Sequence, residues 1–336
     1  MAAKIEMDRP RVVILLGPTG TGKSKLAIEW AEEAGGEIIS ADSMQVYRYM
    51  DIGTAKPTLD DQKRVRHHLI DLVAPNQPFH AALYRTLGRK TIDQLFQNKK
   101  PIWVVGGTGL YIKTLTQGLF SSPKIEPHVR ESLKQEAMEK GSNALFERLK
   151  KVDPQTALHL HPNDLFRMIR ALEVFDSTGA PISFYREQHR FGERPYLTLK
   201  IGLEMSRDML YHRIEERADQ MLEKGFLQEV ERLMEMGYGP ELKPMQSLGY
   251  KQMVQFLLKE VGWDEAIRQM KRDTRHYAKR QWTWFKSDPE VHWWDESADR
   301  RKILLEIKSF WEREEGEGCV KKSDQYPGSI PQSSPA

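Results

Sequence analysis

One cysteine, Cys319, in 336 residues rules out any internal disulfide and any cysteine zinc cluster, so a reducing, cytoplasmic setting is expected. Long hydrophobic runs are missing too. The longest, Val12 to Leu16, is far short of the roughly 18 residues of a bilayer crossing, so no membrane association is expected. The opening MAAKIEMDRP carries Lys4, Glu6, Asp8 and Arg9 and has no apolar segment of the kind that a secretory signal needs. Charge of one sign is scarce: 51 Lys+Arg stand against 48 Asp+Glu, a net +3 too small to indicate a nucleic-acid partner. What remains is an ordinary globular chain with 39% hydrophobic residues, long enough for about two domains.

The pattern that is present begins as strand, tight loop, helix. Apolar Arg11–Leu16 runs into a glycine-rich loop and then into KSKLAIEWAEEA, which has helical spacing. Further strands are expected at Glu37–Ser40, at 68–73 (HLIDLV) and at 102–105 (IWVV), with a helix at Ala81–Gln97 between the last two. This alternation predicts an α/β fold whose parallel sheet binds ligands at the carboxyl ends of its strands. From about 121 to 194 the pattern turns helical, broken by Gly141, Asp153-Pro154 and Gly179-Ala180-Pro181. It reads as an all-helical insertion between two parts of a discontinuous core, residues 1–120 and 195–316. A strand at 196–205 returns to the sheet, with helices at 207–236, 250–259 and Trp263–Lys286, a short strand at 291–294 and a closing helix at Arg300–Glu312. Residues 317–336, rich in Ser and Pro, are too poor in apolar side chains to order themselves.

Gly17-Pro18-Thr19-Gly20-Thr21-Gly22-Lys23-Ser24 fits GxxxxGK[ST] in the required context, after a strand and at the start of a helix. Glycines let backbone N–H groups wrap a phosphate, the helix terminus adds positive potential, Lys23 reaches the outer phosphate, and Ser24 can hold Mg²⁺. A triphosphatase would normally add a strand ending in an Asp that organises metal and water. Here the strand at 102–105 ends in Gly106-Gly107-Thr108-Gly109 instead, NKxD is absent, and Asp71 is the one substitute in view. Asp42, just after the second strand, arrives beside the loop. A carboxylate near a phosphate is costly unless it handles a proton, a metal or a sugar hydroxyl, although capping of the next turn is a second reading.

Elsewhere, Phe166-Arg167-Met168-Ile169-Arg170 puts two arginines on one helix face, where Asp164 and Glu173 can pair with them. Residues 271–286 hold six Lys/Arg against a single acid, Asp273. Lys279-Arg280-Gln281-Trp282-Thr283-Trp284-Phe285-Lys286 interleaves cations with flat rings as single-stranded nucleic acid binding requires, though core packing of some rings is also expected. His67 and His68 have no third ligand at metal spacing.

Taken together, GPTGTGKS, DSMQVYR (42–48), GTAKP (53–57), HHLID, GGTGLY, FRMIRALEV (166–174), SLGYKQ (247–252) and KRQWTWFK, in order from about 11 to 286, resemble the tRNA dimethylallyltransferase (tRNA isopentenyltransferase) family. The resemblance implies transfer of a dimethylallyl group from dimethylallyl diphosphate to N6 of adenosine-37 in tRNA, with Mg²⁺, by a P-loop NTPase-like core whose helical insertion clasps the anticodon stem-loop. It also implies that the phosphate loop holds diphosphate rather than ATP, through Gly17, Pro18, Thr19, Gly20, Thr21, Gly22, Lys23 and Ser24. Asp42 is implied as the base at N6, assisted by Thr19 and Lys23. Implied tRNA contacts are Asp42, Ser43, Met44 and Gln45, then Thr108, Arg130, and Phe166, Arg167, Met168, Ile169 and Arg170. Ser247, Leu248, Gly249, Tyr250, Lys251 and Gln252 follow, with Lys279, Arg280, Gln281, Trp282, Thr283, Trp284, Phe285 and Lys286. Phe166 stands where many relatives carry Gln, which leaves Arg167 and Arg170 to support the RNA. Eukaryotic relatives carry a C-terminal zinc finger that one cysteine cannot build, so the bacterial form is expected, and the resemblance also implies a monomer. The competing readings are a small-molecule or nucleoside kinase that holds ATP on the same loop, and a non-catalytic RNA-binding module.

Overall fold

The computed structural model describes residues 9–119, 127–189, 191–295 and 300–312. Its first strand, β1 (Arg11–Leu16), is apolar at every position after Arg11 and buried on both faces, as the middle of a parallel sheet allows. There follow α1 (Lys23–Glu33), β2 (Glu37–Ser40), α2 (Leu59–Arg64), β3 (His67–His68), α3 (Ala81–Gln97), β4 (Ile102–Gly106) and α4 (Gly109–Gln117). Five helices come next: α5 (Pro127–Lys140), α6 (Ser142–Val152), α7 (Pro154–Ala157), α8 (Leu165–Thr178) and α9 (Ile182–His189). The chain then re-enters the sheet as β5 (Leu197–Glu204) and continues through α10 (Arg207–Glu223), α11 (Phe226–Glu235), a 3₁₀ turn at Lys243–Gln246 and α12 (Tyr250–Leu257). It closes with α13 (Trp263–Lys286), β6 (Val291–Asp295) and α14 (Arg300–Glu312).

All strands pair in parallel in the order β3-β2-β4-β1-β5-β6. Because side chains alternate along a strand, Val12, Ile14 and Leu16 enter one apolar cluster with α3, α4, α11 and α12. Val13 and Leu15 enter the other, against Leu26, Trp30, Ile303 and Ile307 of α1 and α14. Helices thus cover both faces of a P-loop-type α/β sheet. The five helices α5 to α9 gather an apolar core of their own around Leu145, Leu149, Met168 and Leu172.

Two expected elements differ from the structure. The strand expected at 68–73 stops at His68, because Leu69 and Asp71 take left-handed φ values of 61° and 52°, which no strand accommodates. The helix expected over 207–236 is broken into α10 and α11 at Gly225, whose φ of 92° opens the second helix in a new direction. The tail expected at 317–336 and the insertion's start near residue 121 lie outside the described residues. No helix among the described residues is long and apolar enough to cross a membrane.

Candidate active site

Three neighbouring strand ends bring the chemistry together. β1 runs into the phosphate loop, β4 into the turn at 106–109 and β2 into Asp42, with Leu16 in register with Gly106 and Ser40 with Val105. Backbone bonds tie the ends: the Ala41 N–H donates to Val105 O at 2.7 Å and the Thr108 N–H to Ala41 O at 3.0 Å. A Cβ on Gly106 would lie 2.2 Å from Ala41 O, so only glycine permits this approach. Between the strand ends and the helices lies a cavity of about 520 Å³. Thr19, Lys23, Ser24, Asp42, Ser43, Met44 and Gln45 line it from the sheet edge, Arg217 and Met221 from α10, 247–252 from the loop before α12 and its first turn, and Tyr277, Arg280 and Gln281 from α13.

The phosphate loop divides its residues by role. Gly22, in the left-handed region, opens α1 without a side-chain cap, so the first amides of that helix face an incoming anion. Fully buried Thr21 braces the loop from behind by donating to Pro18 O at 2.9 Å. Gly17, Pro18, Gly20, Thr21 and Gly22 are therefore the frame, while Thr19, Lys23 and Ser24 reach the cavity. The Lys23 ammonium donates to Pro18 O at 3.1 Å. Burial and the neighbouring Arg217 guanidinium push its pKa down to about 8, against the opposing pull of Asp42. Arg217 is itself lowered by burial and supported by Asp42. Two cations in a poorly hydrated pocket constitute an electrostatic cost that a bound diphosphate relieves.

Asp42 combines both readings that its position suggested. Its Oδ1 accepts the N–H groups of Met44 (2.8 Å) and Gln45 (3.4 Å), which fixes the side chain, while Oδ2 takes no hydrogen bond from the described residues. Thr108 stands behind this loop, accepting the Ser43 N–H at 3.0 Å, and does not line the cavity. Gln45 accepts from the Ser40 hydroxyl and donates to Thr54 O (3.3 Å) and Ala55 O (3.2 Å), joining the Asp42 loop to GTAKP. That second loop is held by Glu229, which accepts the N–H groups of Asp51, Ile52 and Gly53 and the Tyr250 hydroxyl. Asp71 is bound to Lys56 at 2.6 Å, so it does not serve as the missing Mg²⁺-organising Asp.

For several implied RNA contacts the structure gives an internal role. Tyr250 and Gln252 are buried; Gln252 accepts the Gly249 N–H and donates to Asp273, so these side chains build the 247–252 segment from within. Ser247 donates to Pro244 O, and within this segment Lys251 is the exposed residue. Met168 and Ile169 belong to the core of α5 to α9, where their side chains cannot meet RNA. Arg130 and Arg170 both bind the buried Glu173, at 2.7 and 2.8 Å, and Arg167 binds Asp164 at 3.0 Å. Phe166, by contrast, is 73% exposed. None of these six lines the cavity.

The basic stretch of α13 is largely neutralised. Lys271 pairs with Asp219, Arg272 with Asp273, Arg275 with Glu215 and Lys286 with Glu204. Lys279 and Arg280 are exposed and form no ion pair among the described residues. Lys286 also lies over the rings of Trp282 and Trp293, Phe285 is core, Thr283 is exposed and bonds Lys279 O, and Trp284 stays 43% exposed. Gln281 is buried and turned into the site. Sequence reasoning missed Arg217 and Tyr277. Arg217 is one of three arginines in α10, and only its placement opposite Asp42 distinguishes it. The Tyr277 hydroxyl, beside Thr108 and Gln281, has its pKa pushed up to about 12 by burial and by Asp42.

No group of three or more His, Cys, Asp or Glu among the described residues is placed to hold a metal. Exposed Ser24 at the start of α1 does fit Mg²⁺, a cation that takes most of its oxygens from phosphate and water and few from protein.

Comparison with known proteins now decides between the readings. The IPP transferase family model matches residues 45–288. This chain belongs to the IPP transferase family. It is 52% identical over 298 residues to the tRNA dimethylallyltransferase 2 of Syntrophus aciditrophicus, covering 89% of this chain and 96% of that one. It is 51% identical over 304 residues to the tRNA dimethylallyltransferase of Syntrophobacter fumaroxidans, covering 90% and 88%. Among solved structures, the full-length tRNA isopentenylpyrophosphate transferase of Bacillus halodurans matches with a TM-score of 0.67 at 38% identity over 90% of this chain and 96% of that one. A eukaryotic dimethylallyltransferase acting on tRNA matches with a TM-score of 0.78 at 28% identity over 90% and 79%. These family members are prenyl transferases, and the kinase reading is set aside.

The depressed Lys23 makes a measurable demand. A diphosphate monoester loses its last proton with a pKa of about 6, so at about pH 9 the binding of one on this loop should take up close to one proton as the anion restores the ammonium. At about pH 6.5 Lys23 is already charged and contributes no uptake, so the Lys23 contribution to affinity falls as pH rises through about 8. Titration calorimetry in buffers of different ionisation enthalpy reads this directly, and equal proton counts at both pH values would contradict it.

Proposed function

We propose that this protein transfers the dimethylallyl group of dimethylallyl diphosphate to N6 of adenosine-37 in tRNA, releasing diphosphate, and acts as a monomer in the cytoplasm. The observation that carries the reading is the placement of a carboxylate, Asp42, and a phosphate loop around one cavity, on the ends of the two strands that flank β4. Hydrolysis needs a different partner for that loop. A prenyl transfer needs this one.

The adenine N6 lone pair is delocalised into the ring, so N6 attacks well only as its proton leaves. Asp42, held by its Oδ1, presents Oδ2 to accept that proton while the new C–N bond forms and the allylic C–O bond to diphosphate breaks. Lys23, Arg217 and the first amides of α1 receive the charge that develops on the leaving group. Mg²⁺, held by Ser24 and diphosphate oxygens, would add further charge neutralisation there. N6 is unreachable in a stacked base, so the adenosine turns out of the loop and into the cavity. Lys279, Arg280 and Trp284, exposed on α13 beside it, suit the phosphates and unstacked bases of an unpaired loop.

Asp42→Ala is expected to leave affinity for an anticodon stem-loop nearly unchanged while lowering the single-turnover transfer rate by roughly 10² or more. A variant that keeps its rate would remove Asp42 from the chemistry, and a wild-type protein that binds RNA without transfer would favour the non-catalytic module. Lys279→Ala and Arg280→Ala should each weaken RNA binding and reduce the slope of log affinity against log salt by about one. An unchanged slope would place RNA elsewhere.

A further inference from the structure

One side chain joins the two substrate sites. Gln281 accepts the Thr19 N–H at 2.9 Å through Oε1 and donates through Nε2 to Gly107 O at 2.8 Å. A single buried amide therefore bridges the phosphate loop after β1 and the glycine turn after β4. Its helix presses on the same turn at two more points. Tyr277, four residues earlier, lies close to Thr108, and Trp284, three residues later, packs so closely on Gly109 that a Cβ there would lie 2.2 Å from its Nε1. These positions share one face of α13. Arg280 borders that face and lines the cavity, Lys279 points away from it, and both are exposed and without acidic partners among the described residues.

We infer that Gln281 is a positioning residue that couples RNA engagement by α13 to the shape of the diphosphate loop. The inference rests on the reading of α13 as an RNA-contacting helix. With Thr19 N–H committed to Gln281, contact between Thr19 and diphosphate falls to its hydroxyl, and the loop amide can neither rotate nor shift without movement of α13. Any displacement or stiffening of that helix by RNA reaches the phosphate loop through this bond. Linkage makes the effect reciprocal: diphosphate must change RNA affinity by the same factor.

The test measures binding of inorganic diphosphate and of an unmodified anticodon stem-loop, each alone and in the presence of the other, in the wild type and in Gln281→Met. Met conserves volume and helix propensity and removes both hydrogen bonds. In the wild type the stem-loop should change diphosphate affinity at least about fivefold. In Gln281→Met, diphosphate binding without RNA should weaken about tenfold, stem-loop binding alone should stay within about twofold, and the coupling factor should fall to about one. Should the Met variant not fold, Gln281→Glu serves: it keeps the acceptor for Thr19 N–H, loses the donor to Gly107 O, and should likewise lose the coupling. A merely structural residue would lower both affinities together and leave the coupling factor intact; that result overturns the inference. A wild type that binds both ligands and transfers the dimethylallyl group without coupling overturns the inference alone. A wild type that binds diphosphate but no stem-loop overturns it together with the RNA reading.

Discussion

The parallel register of β2, β4 and β1 is the constraint on which the rest of the site depends. Ser40 beside Val105 and Leu16 beside Gly106 deliver the Asp42 loop, the glycine turn and the phosphate loop to one edge at one level. A slip by a single residue would exchange the side chains that β1 gives to its two cores, so packing on both faces holds the register. Gly106 is where this geometry becomes intolerant, because any side chain there meets the Ala41 carbonyl.

Electrostatics follows from that geometry. An anion site and a carboxylate on strand ends that flank β4 would repel if the anion stood alone, yet Asp42 faces Lys23 and Arg217 across the cavity and sustains the protonation of both. The cations bind the leaving group and the acid handles the proton. Each charge lowers the cost of burying the other, and the empty-handed state is the costly one, as the depressed Lys23 records. Glu229, Gln45 and Tyr250 contribute no charge to the chemistry but lock the loops on which it sits.

Much of this was legible in the amino-acid sequence wherever the signal was local. The phosphate loop is a contiguous motif, Asp42 lies two residues beyond a readable strand, and strands such as Arg11–Leu16 and Glu37–Ser40 and helices such as Trp263–Lys286 appear with the expected bounds. Features set by tertiary contact were not legible. Arg217 looks like any other arginine of a charged helix until α10 is folded against Asp42. The charge of 271–286 in α13 reads as a basic patch in sequence, but partners brought from α10 and β5, together with neighbouring Asp273, neutralise four of the six cations in that stretch. Gln281 reads as one polar residue in an RNA-binding stretch, whereas its partners lie 262 and 174 residues away. At Arg167 and Arg170 the modest alternative of pairing with Asp164 and Glu173 is what the structure displays, and Arg130 joins the same buried glutamate.

The central claim is group transfer to a tRNA adenosine at the cavity beside Asp42, and nucleoside mass analysis tests it most directly. Unmodified tRNA bearing adenosine-37 is incubated with the protein, Mg²⁺ and dimethylallyl diphosphate, then digested to nucleosides. The account predicts a dimethylallyl adduct on the N6 of that adenosine, with diphosphate released in equal amount. Adenosine recovered unmodified, with the allylic diphosphate intact, would contradict it.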